Sequence, residues 1–581
     1  MLIKRHPVAE AAVAAALEDA SNRLTRLVIS SSKAGRMGTA TWSLIADEFL
    51  DYLAALSARD PALASPEAEA VLQAAAEAAT GAVRYAEYWP HEQFSVFINY
   101  SNYGVTYRPE GDEEDQEDVT LSQFLDAVCL AVLTDSAEQH SEAFGFAREG
   151  LRRGRDGDPG AELMHGLMAY VLGDLEDDGP WPPSGQQRLA ALEAGLARVP
   201  EAEAAQPYAV GLAALKDLAA GDRDGFQDKV TRLLLTEADR MDEGSPLRAL
   251  LPLVPLALTA LAHRDRDWSL PLTTHYLPRS LVRGFDATGP RVGPYGTGRR
   301  PDAVAALGGG GRVTVDRPGD PQEPLDPGYL ATSEKDYEEN LAAEDGKQRT
   351  GRDIGYALTD PYLVDVLGCG DEEQRRRAVL RGSQAAGAFF RTLLAEPGSE
   401  VEVVVDGREL TVAAFGGSGE FGAAAWQTAV NWTLTSGVRE DLAPVVLGGI
   451  RILARGDGSA FAAYRRALLS YLHDDDPRPV MDEALAAHEQ AASWGYLMPP
   501  AILLSQLVDG DEESFSLALA DALEEHRAYF EVGDRNDFGE GAISPDILAL
   551  ACHARRRGWQ IRVDSPYLPA MLLHPLSNAT G

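Results

Sequence analysis

The chain has 581 residues, 45% hydrophobic and 24% charged, which excludes a disordered protein and supplies apolar sequence for more than one core. Ninety acidic residues against 52 basic ones give a formal net charge of −38, which argues against a nucleic-acid binder or an anionic membrane-surface protein, since both need basic footprints. Cys129, Cys369 and Cys552 form neither a CxxC motif nor a disulfide framework, and MLIKRHPVAEA at the N-terminus lacks the apolar stretch of a signal peptide, so a cytoplasmic protein is expected.

Residues 8–56 carry two helical patterns, VAEAAVAAALEDASNRLTRLV and TWSLIADEFLDYLAAL. Asp60-Pro61 follows, and then an Ala-rich helix is predicted over Glu67–Glu87 from its apolar spacing. The alternating segment Phe94–Tyr107, with its bend at Asn102–Gly104, reads as a β-hairpin, and Leu121–Asp135 reads as the next helix. Mostly helical sequence fills 143–218. Gly221-Asp222 then precedes a helix led by Phe226. The apolar run Ala249–Ala262 carries Pro252 and Pro255 and is too short to span a bilayer, so it reads as core. From Trp268 to Tyr276 the sequence alternates with the period of a half-buried strand, ending at Tyr276-Leu277-Pro278.

Residues 286–334 break this texture with Gly308–Gly311, several prolines and no helical period, and they read as a linker. Beyond it the same programme recurs: Asp360-Pro361, a helix over Glu372–Leu394, a hairpin over Val401–Phe415 with Asp406-Gly407 at its turn, and a helix over Ala423–Gly437. Gly510-Asp511, Phe515, His553, Trp559 and Tyr567-Leu568-Pro569 repeat Gly221-Asp222, Phe226, His263, Trp268 and Tyr276-Leu277-Pro278 in order. The offset is 289 residues from Phe226 to Phe515 and 291 from Tyr276 to Tyr567, a period that means tandem domains rather than a solenoid. The expected architecture is therefore mainly α: two duplicated helical domains, 1–285 and 335–575, each with a small β-hairpin and a short C-terminal extended strand. Trp268, Tyr276, Leu277 and Pro278, with Trp559, Tyr567, Leu568 and Pro569, are expected to pack and to fix each domain's end.

The order of these elements resembles the immunity protein 49 family of bacterial polymorphic-toxin systems, common in actinomycetes. The residues that carry the resemblance are Arg5, His6 and Val8, the Asp-Pro after the early helices, and in the second half Phe515, Ala522-Leu523, His526, Tyr529, Leu548–Cys552, Ile561, Val563, Ser565, Tyr567–Pro569 and Leu572. The first half departs in mid-domain, where Leu125 and Ala131 stand opposite Trp426 and Trp432 of the second. Family members are usually single units, so a tandem copy is itself a departure. The resemblance implies a cytosolic, non-enzymatic protein that binds and neutralises a toxin; the residues equally admit a helical interaction scaffold or an enzyme with an unfamiliar helical site.

No cofactor or metal is expected. Gly417-Ser418-Gly419-Glu420-Phe421-Gly422 spells GxGxxG after a strand, but that strand is expected in a hairpin rather than a βαβ unit. His473 with Asp474–Asp476 reads as a solvated turn, and His263 and His553 as packing residues. The loop between hairpin and helix is strongly acidic in the first half (Asp112, Glu113, Glu114, Asp115, Glu117 and Asp118) and glycine-rich in the second (Gly417, Ser418 and Gly419). Either these loops contribute to partner surfaces, the acidic one facing a basic toxin, or they are unconstrained. No nucleic-acid or membrane partner is expected, and the sequence assigns no oligomeric state.

Overall fold

Helix boundaries in this protein follow capping chemistry closely. The computed structural model describes all residues except 110–116, 174–182, 286–288, 318–326, 342–349, 416–420, 455–457, 474, 492–495, 536–538 and 575–581. Among the described residues the regular structure is helical apart from four two-stranded sheets. The chain divides into two compact units, Met1–Ala287 and Thr288–Gly581.

In the first unit the earliest helical pattern splits into Glu10–Leu17 and Ala20–Ala34. Asp19 between them takes φ 46°, a left-handed conformation that aspartate tolerates and a continuous helix does not. Thr39–Arg59 follows, and then Pro66–Tyr88, whose start is fixed by a proline in the first turn and by Ser65, which accepts the Ala68 N–H. This 23-residue helix is buried along most of its length, and its alanines and Gly81 let neighbours approach closely. A β-carbon at Gly81 would lie 2.9 Å from a Val96 methyl of the hairpin strand Phe94–Ile98. The partner strand is Tyr103–Tyr107; the bend is made by Asn99–Asn102, and Gly104 lies in the strand rather than at the turn.

The second unit repeats the arrangement. Glu372–Leu394 is again a 23-residue buried helix, capped by a reciprocal Asp371–Gln374 box. Its hairpin pairs Glu400–Val405 with Arg408–Ala413, and Asp406 and Gly407 both have positive φ, 52° and 70°, as a type I′ turn demands. Gly382 and Gly387 press on the Trp432 ring and on Asp441, where a β-carbon would come within 3 Å of either. The following helices are Leu121–Leu133 in the first unit and Ala423–Ser436 in the second. The repeated Gly-Asp pair is a helix-to-helix hinge. Gly221 and Gly510 end one helix in the left-handed region (φ 77° and 82°), and Asp222 and Asp511 accept the Gly225 and Ser514 N–H groups to begin the next. The apolar run read as core is the helix Leu253–Arg266, buried from Pro255 to Ala262.

Each unit closes by pairing its beginning with its end. Leu2–Ile3 runs parallel to Thr273–Thr274, and Val313–Thr314 runs parallel to Val563–Asp564. Exposure alternates from Trp268 to Tyr276 as expected, although only two residues there enter a ladder. With the Tyr-Leu-Pro ends aligned, Val315 takes the place of Ile3 and Arg317 that of Arg5, so the second repeat starts near residue 313. The expected linker 286–334 is corrected accordingly. Val292, Leu307 and Val315 are fully buried in the second core, 301–307 is helical, and Arg291 bridges Asp521 and Glu524 at 2.7–2.8 Å. These elements are too short to show periodicity, and their positions depend on partners more than 200 residues away.

The two closures differ in one respect. The Tyr276 hydroxyl accepts the His6 backbone N–H at 3.0 Å and lies 2.8 Å from His6 Nδ1, both buried, whereas the Tyr567 hydroxyl has no hydrogen-bond partner among the described residues. Tyr276→Phe strands two buried polar groups and is expected to destabilise the first unit by about 1–3 kcal/mol in urea unfolding, while Tyr567→Phe stays within about 0.5 kcal/mol of the parent.

Candidate functional site

The sequence-derived partner loops are only partly in view. Asp112, Glu113, Glu114 and Asp115, with Gly417, Ser418 and Gly419, lie outside the described residues. Asp118 is exposed. Glu117 has a defined local partner: its carboxylate accepts the Thr39 backbone N–H at 2.8 Å and the Thr39 hydroxyl at 2.9 Å. It therefore supplies the anionic cap of the Thr39–Arg59 helix that the adjacent Gly38 has no side chain to provide. Phe415 and Phe421, the described residues on either side of the glycine-rich loop, belong to one aromatic cluster, with Phe421 5.0 Å from Phe389 and 5.9 Å from Phe415. The strand before this loop is antiparallel within a two-stranded sheet, not the parallel strand of a phosphate-binding βαβ unit.

The C-terminal anchors lie against neighbouring helices and do more in the second unit. Trp268 and Trp559 lean on Phe226 and Phe515 at 5.8 and 5.4 Å between ring centroids. Tyr276, Pro278, Tyr567 and Leu568 are buried; Leu277 and Pro569 are half-buried. The Tyr567 ring stands perpendicular to the His526 imidazole at 5.1 Å, and so supports a residue that floors a cavity. His263 lies 3.6 Å from Asp267 and His553 hydrogen-bonds Tyr471 at 3.0 Å, both packing roles; His473 is within 3.0 Å of Asp475 on the surface.

That cavity, of about 330 Å³, lies in the second unit where the helices Ala423–Ser436, Ala460–Leu472, Glu512–Phe530 and Pro545–Arg556 converge. Its floor is polar. The Gln427 and Asn431 amides both donate to Asp546 Oδ1, which holds that carboxylate in place. Burial pushes the Asp546 carboxyl above the ordinary range, opposed by those amides and by the nearby Arg465. His526 is 2% exposed, and burial lowers its pKa to about 4, so the ring is neutral near pH 7. One ring nitrogen approaches the Glu540 carbonyl without reaching hydrogen-bond geometry. Glu525 and Glu540 are exposed at the mouth, and Trp432 and Phe461 form apolar walls. Sequence reasoning singled out His526 and Trp432 through the family resemblance but missed Gln427, Asn431 and Asp546. The available signal was three polar residues on the inward faces of two apolar helices. Among the described residues no three His, Cys, Asp or Glu side chains are grouped to hold a metal ion.

Two copies of one helical scaffold in a single chain define the class of tandem-domain proteins. The family model for immunity protein 49 matches this chain twice, over residues 60–281 and 371–572, and the chain belongs to that family as a tandem copy. No curated protein and no solved structure gives a significant match.

Two measurements check these assignments. Glu117→Ala is expected to lower the stability of the first unit by about 0.5–2 kcal/mol in urea unfolding through loss of the helix cap. For His526 the folded pKa of about 4 lies below the ordinary 6.5, so the unfolded chain takes up the proton first. Its contribution to stability is intact above pH 6.5 and is lost as pH falls toward 4, by roughly 2 kcal/mol at pH 5. His526→Gln should flatten that part of the stability–pH curve while other buried histidines keep their share.

Proposed function

We propose that this protein is a cytoplasmic immunity protein that neutralises a cognate toxin domain by stoichiometric binding rather than by catalysis. The observation that carries the reading is family membership, matched over both units. The net charge of −38 supports a basic partner, because complementary charge raises the encounter rate and disfavours wrong partners. The second unit is the binding half in this reading, since it holds the built cavity and the closer likeness to the family. The first unit contributes the acidic loop around residues 112–118 to long-range attraction.

The test is co-expression of the toxin domain encoded beside this gene, with and without this chain, followed by light scattering of the purified mixture. Growth rescue and a salt-sensitive complex of one toxin per chain are expected. Absence of both rescue and complex would overturn the proposal. Replacing Asp112, Glu113, Glu114, Asp115 and Asp118 with serine, with Glu117 retained for its capping role, should slow association several-fold at low salt and leave dissociation unchanged.

A further inference from the structure

We propose that the cavity of the second unit is a socket for a guanidinium or ammonium side chain of the basic protein partner. The inference rests on the immunity reading for the partner's identity, but its chemistry is argued from the cavity alone.

The floor is short of donors. Gln427 and Asn431 commit N–H groups to Asp546, which leaves Gln427 Oε1 buried without a partner in a residue only 9% exposed. His526, still more buried, has both ring nitrogens outside hydrogen-bond geometry, and being neutral it offers one of them as an acceptor. Unpaired buried polar groups of this kind destabilise the fold, and a ligand relieves that cost by bringing N–H donors. The charge inventory points the same way. Three carboxyl groups, Asp546, Glu525 and Glu540, face the space, against the single guanidinium of Arg465. A phosphate or carboxylate ligand would meet acceptors and like charge. A lysine or arginine side chain would bring three to five donors and lay its methylene stem along Trp432 and Phe461. Phe461, 37% exposed at the mouth, already carries the Arg465 guanidinium over its ring at 5.9 Å, so it serves the incoming side chain as an apolar wall. At about 330 Å³ the space is at the small end of ligand sites and suits a side chain better than a nucleotide.

The first unit does not repeat the floor. With the anchors aligned, Asp126, Leu130, Glu237 and Leu256 stand where Gln427, Asn431, His526 and Asp546 stand in the second, so two of the four polar positions become leucine and the other two become acids. One socket per chain predicts a single partner per chain despite the duplication.

The test uses the full chain and three probes: N-acetyl-arginine amide, its uncharged isostere N-acetyl-citrulline amide, and agmatine as a free amine. Saturation-transfer NMR and calorimetry should show millimolar binding of the arginine amide and none of the citrulline compound. Asp546→Asn, which keeps the side-chain shape, should weaken the arginine amide at least tenfold. Glu540→Gln, at the exposed mouth where folding is not at risk, should weaken it two- to fivefold and reduce its salt dependence. Equal binding of both amides, or an undiminished Asp546→Asn variant with the parent's thermal unfolding, would overturn the socket. Micromolar agmatine binding would overturn it in favour of a small-amine site. Growth assays separate this inference from the one beneath it. If the parent rescues growth while Asp546→Asn binds the arginine amide undiminished, the socket fails and the immunity reading stands. If the parent gives no rescue but retains charge-selective, Asp546-dependent binding, the socket stands and the toxin reading fails.

Discussion

The close approach permitted by small residues on one buried helix per unit is the constraint on which the rest of the structure depends. Pro66–Tyr88 and Glu372–Leu394 each form the axis of a unit, and alanine and glycine on their surfaces set how near the hairpin and the following helix can come. At Gly81 the neighbour is the hairpin residue Val96; at Gly382 it is the ring of Trp432. Interiors packed to this density tolerate an added methyl poorly, because neither a β-branched strand residue nor an indole can retreat without opening a void elsewhere. The position of Trp432 against Gly382 also fixes one wall of the cavity, so a backbone packing requirement and the candidate site are coupled.

Duplication left the closure of each unit intact and let the interior diverge. Both units join their first strand to their last by a parallel two-residue ladder, and both place an aromatic pair, Phe226 with Trp268 and Phe515 with Trp559, beside it. Inside, the first unit places Leu125, Leu130 and Leu256 in this region, with Asp126 at the position of Gln427. The second unit introduces Gln427, Asn431 and Asp546 there. A polar floor is stable only if its groups are mutually satisfied or satisfied by a ligand, and the partial satisfaction here fits a floor that a ligand completes.

The duplicated hairpins show how much local chemistry can say. Asp406-Gly407 between valine-rich strands identified the second turn, because few residues accept two successive positive φ values. The first hairpin was placed correctly, but its bend falls three residues earlier than Asn102–Gly104, since a 3-10 turn at Asn99–Ser101 carries the reversal. The cavity was less legible. His526 and Trp432 are visible as members of a family pattern, whereas nothing local distinguishes Asp546 from an ordinary acid in the first turn of a helix. Its partners, Gln427 and Asn431, lie more than 110 residues away.

By itself the sequence determined the two-fold repeat, the mainly helical class, the principal helices, the negative charge and the likeness to immunity proteins. The class, the helices and the charge are carried by local spacing, capping chemistry and composition, and the repeat and the family resemblance by the order of recurring residues, none of which depends on what a segment later touches. Only the tertiary structure decided that residues 289–317 belong to the second core, that Glu117 caps a helix, and that four helices converge on an apolar-walled cavity with a polar floor in the second unit. Those outcomes depend on pairings between residues 78 to more than 200 positions apart, such as Thr39 with Glu117 and Arg291 with Asp521. No window of local periodicity contains both partners of such a pair.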